Sequence, residues 1–343
     1  MQQNNASRRA VLGLARALAL PLALPLALPL AAPLLGTARA ARPEEGASFP
    51  ERPLRLIVPV APGGSQDLVA RLLARGMAEE LGQAVQVENL PGAGSNIGYE
   101  AASRARPDGH TLLAGSDSLS INAALFPRLG YDPLRAFEPI LSGVAVPQIL
   151  VVRDGAPQRD LAGFVEAARG GVLAVGTPGN GSLSHLVGEL MQQSAEIRWT
   201  HVPYRGGALA INDLLAGHLD GVWINIGAVT DHVRDGRLRG LAVSSPRRAS
   251  ALPEVPALEE AGFRNLAATG WHGMVAPAGL EPAIAARLAA AGQAALRRPE
   301  VAGRLAGLGV EVLDEPPAAL RRRLLADAER WAAVVKRAGI RPD

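Results

Sequence analysis

The chain has 343 residues, 48% of them hydrophobic and 20% charged, and no cysteine. That is a globular composition with length for two domains, and it excludes disulfides, thiolate chemistry, Cys-ligated metal and a lipid-modified cysteine anchor. The formal charge of +3 overstates the basicity: residues 1–40 hold four arginines and no acid, the remainder carries −1, and nothing favours nucleic acid as partner.

Residues 1–40 combine a basic start, a long apolar stretch and a small-residue end. Ser7-Arg8-Arg9-Ala10-Val11-Leu12 resembles a twin-arginine export motif, and Ala38-Arg39-Ala40 offers cleavage after Ala40. The expectation is a cleaved export signal and a periplasmic protein, by the twin-arginine or the general route. A retained anchor over Ala17–Leu35 is the alternative, weakened by prolines 21, 25, 29 and 33.

An apolar run, Leu54 to Val60, then enters the turn APGGSQD (Ala61 to Asp67), and an amphipathic helical pattern follows to Leu81. Such a turn aims backbone amides and the positive end of a helix at an anion. Ser65 reads as the N-cap and Asp67 as a first-turn acid, leaving the amides of Gly63, Gly64 and Ser65 to face a ligand. The design repeats: Ala84 to Glu88 leads into NLPGAGSNIG (Asn89 to Gly98), with a helix-compatible segment from Tyr99 to Arg104. Either loop alone is explained by glycine's freedom in tight turns; two in succession, each after a strand, point to a binding cleft.

Further strand-like runs, Thr111–Gly115, Gln148–Val152, Val172–Gly176, Gly221–Ile226 and Gly240–Ser244, alternate with helical segments such as Leu161–Arg169. That alternation predicts an α/β protein of mostly parallel sheets flanked by helices. Breaks near Val146 and Ala251 give one domain from residues 41–146 and 252–343, with a second, 147–251, inserted. In the tail, Ile284, Leu288, Ala291 and Ala295, then Leu320, Leu324, Ala328 and Trp331, recur at helical spacing and are expected to pack.

GTPGNGSLSH (Gly176 to His185) is a third polar loop after a strand, with Asn180, Gly181 and Ser182 as candidate contacts and Ser182 or Ser184 as the helix cap. HVPYRGG (His201 to Gly207) adds the Tyr204 hydroxyl and the Arg205 cation as carboxylate partners, an ordinary surface arginine being the alternative for Arg205. The six histidines show no metal-ligand spacing, so no metal is expected. Lys336 is the only lysine and no G-x-S-x-G occurs, which removes Schiff-base chemistry and the α/β-hydrolase nucleophile elbow. Gly92 to Gly98 has one residue too many for a dinucleotide fingerprint.

Taken together, PLRLIVPVAPGGSQDLVARLLA, VENLPGAGSNIGYEAASRARPDGHTLLAGS, TPGNGSLSHLVGEL, HVPYRGGALAINDLLAGHLD, LRGLAVSSPRRASALPEVPALEEAG and WHGMVAPAG resemble the solute-binding proteins of tripartite tricarboxylate transporters, the Bug family. The resemblance runs from about Pro50 to Asp343. It implies a two-domain periplasmic-binding-protein fold with a cleft between the domains. It also implies a small carboxylated ligand, a membrane permease as recipient, no cofactor and no catalysis by a monomeric protein. Binding then falls on Ala61, Pro62, Gly63 and Gly64, with Ser65 beside them. It falls also on Gly94, Ser95 and Asn96, on Ser116, on Asn180, Gly181 and Ser182, and on Tyr204; Arg205, the cation next to Tyr204, and Asn225 are further candidates. Ser95 stands where relatives commonly have glycine, and Ile224 where many have aspartate; losing that acid disfavours an ammonium-bearing ligand. An exported oxidoreductase with bound cofactor and a ligand sensor for a signalling receptor are the rival functions.

Overall fold

The computed structural model describes residues 49–342. The export-signal reading and its cleavage site lie outside those residues. Among the described residues no helix is long and apolar enough to cross a membrane.

The chain opens with β1 (Leu54–Val58), α1 (Ser65–Leu81), β2 (Val85–Asn89), α2 (Asn96–Ser103), β3 (Thr111–Ser116) and α3 (Ser118–Leu125). The 17-residue strand β4 (Phe137–Arg153) leads to α4 (Leu161–Ala168), β5 (Ala174–Thr177), α5 (Leu183–Ala195), β6 (Thr200–Pro203) and α6 (Gly207–Ala216). There follow β7 (Gly221–Asn225), a 3-10 turn (Ile226–Ala228), α7 (Thr230–Arg234), β8 (Leu238–Val243) and β9 (Thr269–Pro277). The chain closes with α8 (Pro282–Arg297), α9 (Pro299–Gly307), β10 (Glu311–Val312) and α10 (Pro317–Ala338).

The fold is α/β with helices flanking a mixed sheet in the order β2-β1-β3-β9-β4-β7-β5-β6, with β8 and β10 also paired to β4. The expectation of mostly parallel strands holds only for the outer ones: β1 pairs in parallel with β2 and β3, and β5 with β6 and β7. Every ladder of β4 and β9 is antiparallel. The reason is connectivity. β4 changes partner between Pro147, opposite β9, and Gln148, opposite β7, so it runs from a first lobe into a second. The chain must come back, and β9 is the returning strand, so the two lie antiparallel. The 245–268 segment between β8 and β9 buries Ala249, Leu252, Val255, Ala257, Leu258 and Leu266 in the second lobe's clusters.

Period-two alternation assigns each strand's side chains to the two faces. From β1, Leu54, Leu56 and Val58 enter the cluster with α1 and α8, while Ile57 enters the one on the opposite face with Tyr99, Trp271 and Leu324. The second lobe repeats this: Leu150, Val152 and Trp223 face one way, Ile149, Val151, Val222 and Ile224 the other. Strands buried on both faces explain the unbroken apolar runs of the sequence. Helix α10 straddles the lobes, Leu320 and Leu324 packing in the first and Trp331, Val334 and Val335 in the second.

Candidate ligand-binding site

The β1–α1 turn is built as an amide cradle. Gly63 takes φ +88°, a left-handed conformation that favours glycine, and Gly64 is the N-cap residue of α1. The first-turn amides of a helix have no partner within it. Two sequence expectations are corrected here. Ser65 is not the N-cap but the first helical residue, and its Oγ lies 3.1 Å from His272 Nε2. The Gly63 amide does not face outward; it donates to Asp67 Oδ2 at 2.9 Å. Asp67 is buried, and its other oxygen accepts from Asn89 Nδ2 at 2.8 Å while Arg71 Nε donates to Oδ2 at 2.9 Å. Burial is the largest influence on this carboxyl and raises its pKa, but the hydrogen bonds from Arg71, Gly63 and Asn89, with the Arg71 charge, leave it below the ordinary value.

The second loop stands directly beside the first. Asn89, the last residue of β2, also donates to the Val60 carbonyl at 3.0 Å. Gly98 of α2 packs so closely on the first turn that a Cβ there would lie 2.8 Å from Pro59 Cβ. Between these anchors Gly92, Ala93, Gly94 and Ser95 all have positive φ. Ser95 caps α2 in the left-handed region with no side-chain cap bond. Asn96 is buried and its side chain holds the loop: Nδ2 donates to the Ala93 carbonyl at 2.8 Å, and Oδ1 accepts from Tyr131 at 2.7 Å and Asn122 at 3.0 Å.

Helix α3 carries the second loop to the third. Asn122 donates to the Gly94 carbonyl at 2.8 Å, and Cβ atoms placed at Gly94 and Gly181 would meet Phe126 and Leu125. Within the third loop, Ser182 is the N-cap of α5, and the Gly181 amide donates to His185 Nδ1 at 3.1 Å. The His185 ring stacks on His201 at 3.7 Å. Asn180 donates to the Arg341 carbonyl at 2.5 Å. Ser184 donates to Gln148 Oε1 at 2.6 Å, in the strand that joins the lobes.

The remaining candidates are placed differently. Ser116 is buried at the end of β3, its Oγ 3.2 Å from the Tyr99 hydroxyl and 2.8 Å from Ser118 Oγ. The Tyr204 hydroxyl donates to Asp213 Oδ2 at 2.6 Å within its own lobe, and Arg205 is exposed. Burial, then Asp213, push the Tyr204 pKa up to about 12, so it stays a neutral donor. Asn225 Oδ1 is buried without a protein partner among the described residues. Ile224 is 1% exposed in an apolar cluster, packed on Gly207. No group of three or more His, Cys, Asp or Glu that could hold a metal occurs among the described residues.

Sequence reasoning passed over His272, although it lies in the WHGMVAPAG segment. It sits on β9 opposite Ser116 and Val144, at the root of the first turn. Burial pushes its pKa down to about 4, so the ring is neutral.

Residues 69–340 match the family described as the tripartite tricarboxylate transporter family receptor. The chain belongs to this receptor family. Among curated relatives, the protein BugT of Bordetella pertussis is 34% identical, covering 89% of this chain and 95% of BugT. Three solved members of the periplasmic-binding-protein kind share the fold. The periplasmic binding protein BugD is 34% identical with a TM-score of 0.78, covering 85% of this chain and 99% of BugD. MatC from Rhodopseudomonas palustris, with bound malate, is 32% identical with a TM-score of 0.76, over 84% of this chain and all (100%) of MatC. R. palustris Rpa4515 with adipate is 30% identical with a TM-score of 0.80, over 86% of this chain and 100% of its own. The receptor family's two-lobed architecture is thus that of this chain.

Proposed function

We propose that the protein is a periplasmic solute-binding receptor that captures a small mono-, di- or tricarboxylate between its lobes and delivers it, without catalysis, to a tripartite tricarboxylate-type permease. The observation that carries this is the side-by-side placement of the two loops, the α1 cradle and the left-handed Gly92–Ser95 run, tied by Gly98 on Pro59 and by Asn89. Adjacent main-chain amides at a helix start suit a carboxylate and need no lysine or arginine. In this reading the ligand meets the amides of Gly64 and Ser65, the loop Gly94–Asn96, the Asn180–Ser182 loop from the second lobe, and Asn225. Malate in MatC and adipate in Rpa4515 support the ligand class. The chain enters the periplasm through residues 1–40, with cleavage after Ala40, and works as a monomer of two domains.

Ile224 supports a plain carboxylate over an amino acid, since an apolar side chain there offers an ammonium no counter-charge. The test is a thermal-shift panel on the purified protein with malate, adipate, tricarboxylates, aromatic acids and amino acids. A ligand at about 100 times its Kd stabilises by roughly 2.7 kcal/mol. One carboxylate class is expected to raise the Tm, and Gly64→Val, whose new side chain has room in the fold, to abolish the shift. Tighter binding of glutamate or aspartate than of their deaminated analogues would refute the amino-acid exclusion. Full affinity in Gly64→Val would refute the placement of the ligand at the first turn.

A further inference from the structure

A recess of ≈ 520 Å³ lies along the outer face of α1, starting at Leu68, the residue after the β1–α1 turn, and includes none of the turn's own residues Ala61–Asp67. Its walls are Leu68, Arg71, Leu72 and Arg75 of α1, Arg304 and Leu308 at the end of α9, and Asp231 and Arg234 of α7. The volume is that of a small-molecule site. Helices α1 and α9 belong to the first lobe and α7 to the second, and the walls touch: a Cβ at Gly227 would lie 3.0 Å from the Leu308 carbonyl oxygen.

Four guanidiniums therefore line one recess against a single carboxylate, in a chain whose whole formal charge is +3. Their partners differ. Arg71 is held by Asp67 and Asn89, and Arg234 by the Ala251 carbonyl at 3.1 Å with Asp231 at 3.9 Å. Arg75 and Arg304 form no ion pair among the described residues; Glu300, the acid whose charge Arg75 feels, is hydrogen-bonded to Arg298 at 2.9 Å. Arg75 and Arg304 thus add positive charge beside the already paired Arg71 and Arg234. A multivalent anion relieves that excess while matching the guanidinium forks. Leu68, 39% exposed, Leu72 and Leu308 supply apolar surface for a carbon skeleton.

We propose that this recess is a second ligand site, one that binds a small polyanion, a polycarboxylate or an oligophosphate, through guanidiniums from both lobes. It is independent of whether the β1–α1 turn holds a carboxylate. Bridging α1 and α9 to α7, the anion ties the lobes together in the arrangement described, so by reciprocity it is coupled to any ligand that prefers that arrangement.

Calorimetric titration of the purified protein with citrate, and separately with pyrophosphate, at physiological ionic strength tests the site. At least one probe is expected to bind saturably. Arg75→Glu/Arg304→Glu is expected to weaken it by about tenfold or more, and Arg234→Glu, on the second-lobe wall, by several-fold. Gly64→Val is expected to leave it in place. Arg75 and Arg304 are exposed and form no ion pair among the described residues, so their double variant is expected to melt with the parent protein. Arg234→Glu also gives up the bond to the Ala251 carbonyl and is expected to melt slightly lower. Preference for citrate or pyrophosphate identifies which polyanion the recess takes. No saturable binding of either probe, binding that survives the charge reversals, or binding lost in Gly64→Val overturns the second site. The last two outcomes leave the proposed carboxylate site standing.

Discussion

Asp67 accepts the backbone amide of Gly63 at 2.9 Å, so the turn that opens α1 is closed by a carboxylate of the same helix. Removing that carboxylate empties a buried position and takes away the hydrogen-bond partner of the Gly63 amide, of Arg71 and of the half-buried Asn89 side chain. Asp67→Ala is expected to cost roughly 2–3 kcal/mol in a denaturant titration and to weaken carboxylate binding, because the cradle loses its shape. The pH dependence has a definite sign. A carboxyl whose pKa is lowered by folding stabilises above the unfolded value of roughly 4, and this stabilisation is lost as pH falls below it. The parent protein is expected to lose more stability on such acidification than Asp67→Ala does; equal losses would show that the Asp67 bonds do not depend on its charge.

Ser95 holds φ +77° at the start of α2, where a residue with a Cβ is strained. Ser95→Gly removes a left-handed penalty of about 1–2 kcal/mol, offset by about 0.4–1 kcal/mol of added freedom in the unfolded chain. The variant is expected to be more stable by roughly 0.5–1 kcal/mol, read as a higher denaturation midpoint. An unchanged or lower midpoint would show that the serine hydroxyl, which interacts with Tyr99, offsets the strain.

These two loops also mark where the sequence was legible and where it was not. The turn at Ala61–Asp67 and the helix to Leu81 were readable because local signals, glycine at a turn and apolar residues at helical period, agree with the tertiary outcome. The same holds for Ile284, Leu288, Ala291 and Ala295, all buried in α8. Strand β9 was not readable: Thr269–Pro277 is buried almost throughout and alternates no polar face, and its antiparallel course follows from where the chain has to return. Hydrogen-bond destinations were the least accessible. Nothing local says that Tyr204 turns to Asp213 nine residues on, that the Gly63 amide is taken by Asp67, or that Ser65 meets His272, 207 positions away.

Gly98 is required by proximity, since a Cβ would lie 2.8 Å from Pro59 Cβ and 3.0 Å from the Leu90 carbonyl oxygen. Backbone on two sides leaves little to move. Gly98→Ala is expected to separate the first two loops, destabilise by roughly 1–3 kcal/mol and weaken carboxylate binding by about an order of magnitude, 1.4 kcal/mol. Unchanged affinity in the thermal-shift panel would mean that the ligand does not span both loops.

The Tyr204 hydroxyl donates its hydrogen bond to Asp213, so it is already engaged inside the second lobe. Tyr204→Phe is expected to lower stability by about 1 kcal/mol and to leave carboxylate affinity within about twofold, a difference below 0.5 kcal/mol. A loss of tenfold or more in a binding titration would show that the hydroxyl swings to the ligand.

His272 is buried, with Nε2 on Ser65 Oγ and Nδ1 without a partner among the described residues. Burial holds its pKa at about 4, against a smaller raising influence from the Trp271 backbone. Because the folded value is below the unfolded one of roughly 6.5, the unfolded chain takes up the proton first as pH falls. Stability is therefore lost between about pH 6.5 and 4, by about 3 kcal/mol in all at 1.36 kcal/mol per unit. Asp117 acts oppositely: burial, with Asp327 nearby, raises its carboxyl to about 7, so it favours the fold as pH falls through the same range. Comparison with His272→Gln cancels the Asp117 contribution and isolates the histidine. The stability advantage of the parent protein over His272→Gln is expected to shrink steadily from pH 7 to pH 4 in parallel denaturant titrations. A constant difference would mean that the folded protein protonates His272 as readily as the unfolded chain does, and that the ring does not anchor Ser65 as a neutral group.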